Sequence, residues 1–525
     1  MNVAAAPESG RAADGGVRSA RLPARAGRAL VAPFEDDGLR LPAGLGLLGA
    51  LVAVLFGIPN RPAGAPTILP VDAAPSPLVT RSPFTSALCL AGVALLVGAW
   101  LRAVQVVRAR SRAAAPGTAS GPTSVGTVLG LTTLWALPFA LGPALFSRDV
   151  FSYVGQGELV NEGYSPYLTG PRALGVVDPY NLLVDPIWRR TPTPYGPLWI
   201  WISSVASRLT GHDPLWAVFL LRLLALASVV AIGWCLLRLA RHYRVDPALV
   251  LVVGLAGPLV LLHLVSGAHN EALVTALMLA GLLLAVRVPT RWGLAGGVAL
   301  CAAAASVKVP ALAAVVFLGW TAAGPGARVG RRLLDVAWCS LLAGAVMAVV
   351  ARLTGVGWGW VETIRNAGGS KSLLAPVRAT GLSLAQVARD LGTRWPANDV
   401  REVSSLAGLV VAGVLCLAVL WRARDRVPVV SLGLALFLVT VLGPALFPWY
   451  LVPAVVLLAF SRRDLKLALA VVPAAVTAVL VLPSGSGVLY NMGRAGPWVV
   501  PLLLLVAAAA WAVHRSRTPA GGPGR

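Results

Sequence analysis

Asp149 lies in the run Phe146-Ser147-Arg148-Asp149-Val150-Phe151-Ser152-Tyr153, just past a long apolar stretch. A carboxylate at a membrane surface can reach both a lipid headgroup and an aqueous hydroxyl, so it can act as a general base. Pairing with Arg148 or capping the next helix are its structural alternatives. The segment that follows is rich in rings. Five of the eight tyrosines (Tyr153, Tyr164, Tyr167, Tyr180, Tyr195) fall here, with Trp188, Trp199 and Trp201. Further carboxylates are Glu158, Glu162, Asp178 and Asp185. The C–H face of a sugar stacks on such rings while its hydroxyls take amide and carboxylate partners. An interfacial aromatic belt is the simpler reading, but a belt requires neither repeated Pro-Tyr turns nor interspersed acids.

Two more constellations carry polar chemistry among apolar neighbours. Ser266-Gly267-Ala268-His269-Asn270-Glu271 separates two apolar runs. Polar groups at membrane depth are costly, which makes His269, Asn270 and Glu271 functional candidates, although a helix–helix turn capped by Asn270 also fits. Lys308 is one of three lysines among 44 basic residues and sits between two short apolar pieces. Its ammonium could hold a lipid phosphate as a point charge or snorkel to the interface. Arg365, Arg378, Arg389, Arg394 and Arg494 are weaker phosphate-binding candidates.

These residues must be positioned by a membrane scaffold. Of 525 residues, 57% are hydrophobic and 12% charged, with a net charge of +23. A soluble domain carries about 25% charged residues, and a disordered chain is far less apolar. The basic residues come in short bursts between apolar runs, which is membrane topology and not a nucleic-acid-binding face. About fourteen spans (12–14) are expected: 41–59, 84–105, 123–145, 214–237, 247–266, 271–288, 292–307, 309–324, 333–351, 403–421, 428–446, 449–461, 466–483 and 497–513. Several fall short of the ~20 residues of a full crossing, and 292–324 reads as a broken hairpin. The 197–209 stretch reads as an interfacial or re-entrant helix.

With the N-terminus inside, the inner loops and tails hold 27 Lys/Arg against 9 Asp/Glu, and the outer ones 15 against 12. The positive-inside rule therefore places both termini in the cytoplasm. Residues 1–40 read as a disordered basic tail and 514–525 as a second cytoplasmic tail, flanking a membrane domain over 41–513. The two long loops, 146–213 and 352–402, lie outside. No ATP or nucleotide-sugar pool exists there, so a lipid-borne or extracellular substrate is required. The sequence has no Walker loop, no D-x-D pair and no His/Cys metal set. Cofactors are not expected, and metal dependence stays open. The five cysteines lie in apolar runs without paired spacing, as buried thiols do.

The run Ser147-Arg148-Asp149-Val150-Phe151-Ser152-Tyr153-x-x-Gln156-Gly157 resembles one family closely. So do Gly163-x-x-Pro166-Tyr167-x-x-Gly170-Pro171 and Asp185-Pro186-x-Trp188-Arg189-x-Thr191-Pro192-Thr193-Pro194-Tyr195-Gly196-Pro197-Leu198. Gly267-Ala268-His269-Asn270-Glu271-Ala272-Leu273 and Phe447-Pro448-Trp449-Tyr450-Leu451 fit as well. These are similar to the polyprenol-phosphate-mannose-dependent α-(1→6)-mannosyltransferases of actinobacterial envelopes, and the similarity extends over roughly 40–515. Ser165 departs from the acid expected before Pro166-Tyr167, which bears on acceptor preference.

The resemblance implies an all-α integral membrane protein of the GT-C glycosyltransferase fold, with extracytoplasmic loops carrying the active site on the plasma membrane. It implies transfer of mannose from a polyprenyl-phosphate-mannose donor to a mannan glycolipid of lipomannan or lipoarabinomannan assembly. Asp149 matches the family's catalytic base. Arg148, Tyr153, Gln156, Tyr167, Trp188, Tyr195, His269, Asn270, Glu271, Lys308 and Arg378 are the expected substrate-binding residues. A related transferase with another lipid-linked sugar, such as arabinose, and a multi-span lipid or sugar transporter are the competing readings.

Overall fold

A computed structural model describes residues 27–60, 82–114, 122–366, 372–393, 396–423 and 428–517. Among these residues there are only helices, joined by turns and short extended links, with one isolated bridge between Val481 and Gly487. Every apolar run expected to span carries a helix. In chain order the helices are α1 (27–35), α2 (Arg40–Gly57), α3 (Pro83–Ala113), α4 (Val125–Leu141), α5 (Asp149–Asn161), α6 (Pro179–Leu183) and α7 (Pro197–Leu209). There follow α8 (Pro214–His242), α9 (Pro247–Gly254), α10 (Glu271–Arg287), α11 (Arg291–Ala305), α12 (Leu312–Ala322), α13 (Val329–Thr354) and α14 (Trp360–Asn366). The last are α15 (Pro376–Asp390), α16 (Ala397–Arg422), α17 (Pro428–Leu442), α18 (Val452–Leu458), α19 (Asp464–Ala478) and α20 (Gly496–Arg517).

Five of the described helices are long and apolar enough to cross a membrane: α2, α3, α8, α13 and the Glu402–Arg422 part of α16. A bent pair, Val260–Ser266 with α10, makes six if counted as one span. Helix length alone therefore does not give fourteen crossings. The reason lies in the Gly-Pro steps. Gly142-Pro143 stops α4 after 17 residues and Gly443-Pro444 follows the end of α17. At 1.5 Å per residue, such helices fall below the ~30 Å of a hydrocarbon core. The expected continuous span 247–266 is likewise broken. α9 ends at Gly254, Gly257-Pro258 follows, and the chain resumes as a π-helical turn over Val260–Ser266. The pair α10 then departs at 106°.

Local signals explain the starts. Asp178, Asp213 and Asp246 each precede a proline; the first two side chains each accept two backbone N–H groups of the helix they open, and Asp246 accepts that of Ala248. An Asp cap followed by Pro at the first helical position satisfies one or two of the free amides of that end. The Asp178 carboxylate is thus a cap. Disorder was expected over 1–40, yet residues 27–35 are helical and Asp36 binds Arg110 at 2.6 Å. Residues 1–26 and 518–525 lie outside the described part, so the remainder of both expected tails does too.

The basic loops meet at one end of the bundle. Besides Asp36–Arg110, Asp464 at the start of α19 pairs with Arg108 and Arg112 at the end of α3. Arg462 donates to the Tyr243 and Arg244 carbonyls after α8. All of these belong to loops expected on one face from charge alone. Two buried arginines act inside the bundle as carbonyl caps. Arg222 on α8 donates to the carbonyls of Phe139, Ala140 and Gly142, closing the end of α4. Arg332 does the same for Trp320 and Gly324 after α12. An arginine fork suits this because the last carbonyls of a helix have no partner of their own.

The segment 197–209 is a short helix, as expected, and it packs on α5. The two backbones touch at Gly157, where a Cβ would lie 2.5 Å from the Ser204 amide nitrogen. Buried polar bonds lock the same contact. Glu158 accepts from Ser207 at 2.5 Å and lies 2.7 Å from His212 Nδ1, and Asn161 donates to the Ser204 carbonyl at 3.2 Å. Gly157→Ala should therefore cost about 1–3 kcal/mol by overpacking. Thermal unfolding of the detergent-solubilised variant measures this, and an unchanged midpoint would rule out the tight α5–α7 contact.

Candidate active site

α5 begins at Asp149, so the carboxylate sits in the first turn of a helix. The chain reaches that point from α4 through Phe146, which holds a left-handed backbone at φ 64°. Its amide donates to the Pro483 carbonyl at 3.0 Å. Ala268, one residue before His269, is also left-handed at φ 50°. Such positions cost a non-glycine residue about 1–3 kcal/mol and persist only where surrounding contacts impose them. Both lie one to three residues from a polar group of the site.

His269 is the hub. Its ring lies flat on Trp449 with centroids 4.0 Å apart, and Trp449 stacks in turn on Phe447 at 4.9 Å. Nδ1 is 3.4 Å from the Tyr153 hydroxyl, 3.6 Å from Asp149 Oδ2 and 3.9 Å from Glu271 Oε2. Glu271 Oε1 accepts from the Lys308 ammonium. Lys308 also faces the Tyr450 ring at 4.0 Å and the Tyr195 ring at 5.6 Å, a favourable placement for a cation over aromatic faces. Tyr153 is packed edge-on against Tyr195 and Trp199. A carboxylate, an imidazole, an ion pair and three tyrosines thus converge from five separate parts of the chain.

The electrostatics give Asp149 an unusual character. Burial raises its carboxyl from the ordinary range to about 7, the nearby Lys308 charge opposes this, and Glu271 and Asp185 add to it. A carboxylate of that basicity is matched to proton abstraction near neutrality. Several buried polar atoms at the cluster have no hydrogen-bond partner among the described residues: His269 Nε2, Glu271 Oε2, and both amide atoms of Asn270. Unmet buried polar groups are expensive, and they are the groups a polar ligand would satisfy.

The expected site residues divide in their placement. Asp149, Tyr153, Tyr195, His269, Glu271 and Lys308 come together, and Asn270 is buried beside them in the chain. Arg148 donates to the Leu183 carbonyl at 2.7 Å. Gln156 Oε1 accepts from Thr193 Oγ1 at 2.9 Å, bracing the Pro-Tyr segment that carries Tyr195. Tyr167 is buried where Gly359 comes close to its ring. Trp188 is half-buried in the turn between Asp185 and Thr191. Arg378 is buried on α15, beside a cavity of about 440 Å³ lined also by Leu373, Leu382, Tyr490 and Gly493. Arg389 lies near the end of α15, and Arg494 pairs with Asp390 at 3.1 Å. Arg394 is outside the described residues. Among the described residues no three His, Cys, Asp or Glu side chains are grouped to hold a metal ion.

The expected substrate-binding set omits Trp449, Tyr450 and Trp199, although Trp199 stands among the sugar-stacking rings and Trp449-Tyr450 in a family-like segment. The signal for the first two was the Phe447-Pro448-Trp449-Tyr450 run, a polar-edged break between apolar stretches. Nothing in its spacing ties it to His269.

Fold and site together define a polytopic helical membrane protein with one buried acid–base and cation cluster. Residues 44–324 match the family model described as alpha-(1->6)-mannopyranosyltransferase, N-terminal domain, and 377–516 match the MptB C-terminal domain. The chain belongs to the α-(1→6)-mannopyranosyltransferase family. Similar proteins include a probable alpha-(1->6)-mannopyranosyltransferase of Mycolicibacterium smegmatis, 35% identical over 62% of this chain and 63% of its own. An alpha-(1->6)-mannopyranosyltransferase of Mycobacterium tuberculosis is 32% identical over 62% of this chain and 64% of its own. Alpha-(1->6)-mannopyranosyltransferase A of Mycobacterium tuberculosis is 32% identical over 78% and 77%. The match thus spans less than two thirds of the length of the first two relatives. No solved structure matches the chain.

Proposed function

We propose that this protein is an inverting glycosyltransferase of the GT-C type that moves mannose from polyprenyl-phosphate-mannose onto an α-(1→6)-mannan glycolipid of lipomannan or lipoarabinomannan assembly. The observation that carries the reading is the meeting of Asp149 with Lys308 through His269 and Glu271. A base and a phosphate-sized cation stand in one aromatic-walled site.

The chemistry follows from the leaving group. A glycosidase typically needs a second carboxyl to protonate a departing alkoxide. A phosphate leaves as a stable anion, so one base suffices. Asp149 takes the proton from the acceptor 6-hydroxyl as that oxygen bonds to the sugar C1. The C1–O bond to phosphate breaks on the opposite face, and a β-linked donor becomes an α product. Lys308 offsets the charge that grows on the phosphate. Tyr195 and Tyr450, whose rings face Lys308, wall the donor site, with Tyr153 and Trp199 packed behind them, and the polyprenyl tail lies between helices.

The proposed topology has about fourteen crossings (12–14) of the plasma membrane, counting the short helices. Both termini are cytoplasmic and the 146–213 and 352–402 loops extracytoplasmic. Its support is spatial: the loops at 146–149, 269–271, 308, 447–450 and 483–485 gather around one site, and all belong to the face expected to be poor in positive charge. The test supplies membranes containing the protein with radiolabelled polyprenyl-phosphomannose and a short α-(1→6)-mannoside. Label in a longer α-linked oligosaccharide supports the reading. Label incorporated only from polyprenyl-phosphoarabinose would redirect the donor assignment, and no incorporation from either would sink it.

A further inference from the structure

We infer that Glu271 is the standing counter-ion of Lys308, which lowers the site's affinity for a prenyl phosphomonoester more than for a phosphodiester. This rests on the reading of Lys308 as the phosphate-binding cation.

The geometry separates the two partners. The Glu271 side chain is 2% exposed and the Lys308 side chain 17%. Glu271 is fixed in the first turn of α10, where the helix end favours an anion. Lys308 follows α11 on an extended residue, with φ −152° and ψ 121°. Its ammonium touches Glu271 on one side and faces the rings of Tyr450 and Tyr195 on others. A ligand arriving by the more open side meets Lys308 first, with Glu271 behind it. Glu271 Oε2 has no hydrogen-bond partner among the described residues, so the Lys308 ammonium is the carboxylate's main partner there. A residue reading sugar hydroxyls would be expected in front of the cation.

The consequence comes from charge counting. The donor is a phosphodiester with one negative charge. Cleavage of C1–O leaves the electron pair on the phosphate, giving a monoester whose second proton has a pKa near 6, so it carries about −1.5 to −2 near neutrality. An unbalanced ammonium among aromatic walls would hold that product more tightly than the donor and trap it. Glu271 repels the added charge. The preference it imposes scales with the charge difference between the two ligands, and so differs from a packing effect, which would act on both alike.

The experiment uses the full chain in lipid nanodiscs and two probes, geranyl phosphate (a monoester) and methyl geranyl phosphate (a diester), with binding measured by equilibrium dialysis. Glu271→Gln should tighten the monoester on the order of ten- to hundredfold and the diester clearly less. Equal weakening of both, or no change in their ratio, would overturn the inference. If Glu271→Gln does not fold, Glu271→Asp decides. It keeps the charge but draws it back, and should shift the ratio several-fold the same way; an unchanged ratio overturns the inference. If wild type binds neither probe and Lys308→Ala changes nothing, the phosphate reading of Lys308 fails, and this inference falls with it.

Discussion

Asp149→Asn should lower the rate of sugar transfer by about 10²–10⁴-fold, the usual worth of a positioned general base, while donor binding should stay near wild type, if Asp149 is the base proposed above. The amide is isosteric with the carboxylate. The turn that presents it also survives, since the Asp149 amide donates to Ser147 Oγ from the backbone at 3.0 Å. What is lost is the lone pair that takes the acceptor proton. The pH profile carries the same information. Burial raises the Asp149 carboxyl to about 7, so the base is mostly protonated below that pH and free above it. Wild-type kcat/KM should therefore climb as pH rises through about 7 and level off above it, and the residual activity of Asp149→Asn should lack that limb. A purified variant with near wild-type kcat, or one that keeps the limb, removes Asp149 from the role of base.

Much of this site was legible before any coordinates, for identifiable reasons. Asp149, His269, Glu271 and Lys308 stand out because a charge is rare and costly amid apolar sequence. Their types also announce what they can do. Other features depend on distance relations that no local pattern encodes. Trp449 under His269, and Tyr450 over Lys308, come from more than 140 residues further along the chain. Gln156 has the residue type of a sugar ligand, yet it braces Thr193. Arg222 reads as an intramembrane charge, yet it closes the α4 end on three carbonyls. The broken span at 247–266 hides for a related reason. Hydropathy averages over Gly257-Pro258, whereas the backbone cannot continue a helix through it without losing a hydrogen bond.

Lys308→Ala has two effects that must be separated. Removing the ammonium should take away the proposed charged contact to the donor phosphate, worth roughly ten- to hundredfold in donor KM, and should leave acceptor KM almost unchanged. It also strands Glu271, 2% exposed, without its partner. Breaking a buried pair from one side costs up to about 3–5 kcal/mol, so the single variant should melt well below wild type. The double variant Lys308→Ala with Glu271→Gln distinguishes the contributions. A neutral amide needs no counter-ion, so thermal stability should return most of the way toward wild type. Donor KM should stay high, because no cation has been restored. Recovery of donor KM along with stability would mean that Lys308 served the fold and that phosphate is held elsewhere. Stability that recovers while donor KM does not would assign Lys308 to the donor, since loss of the Glu271 charge by itself should ease phosphate binding and not weaken it.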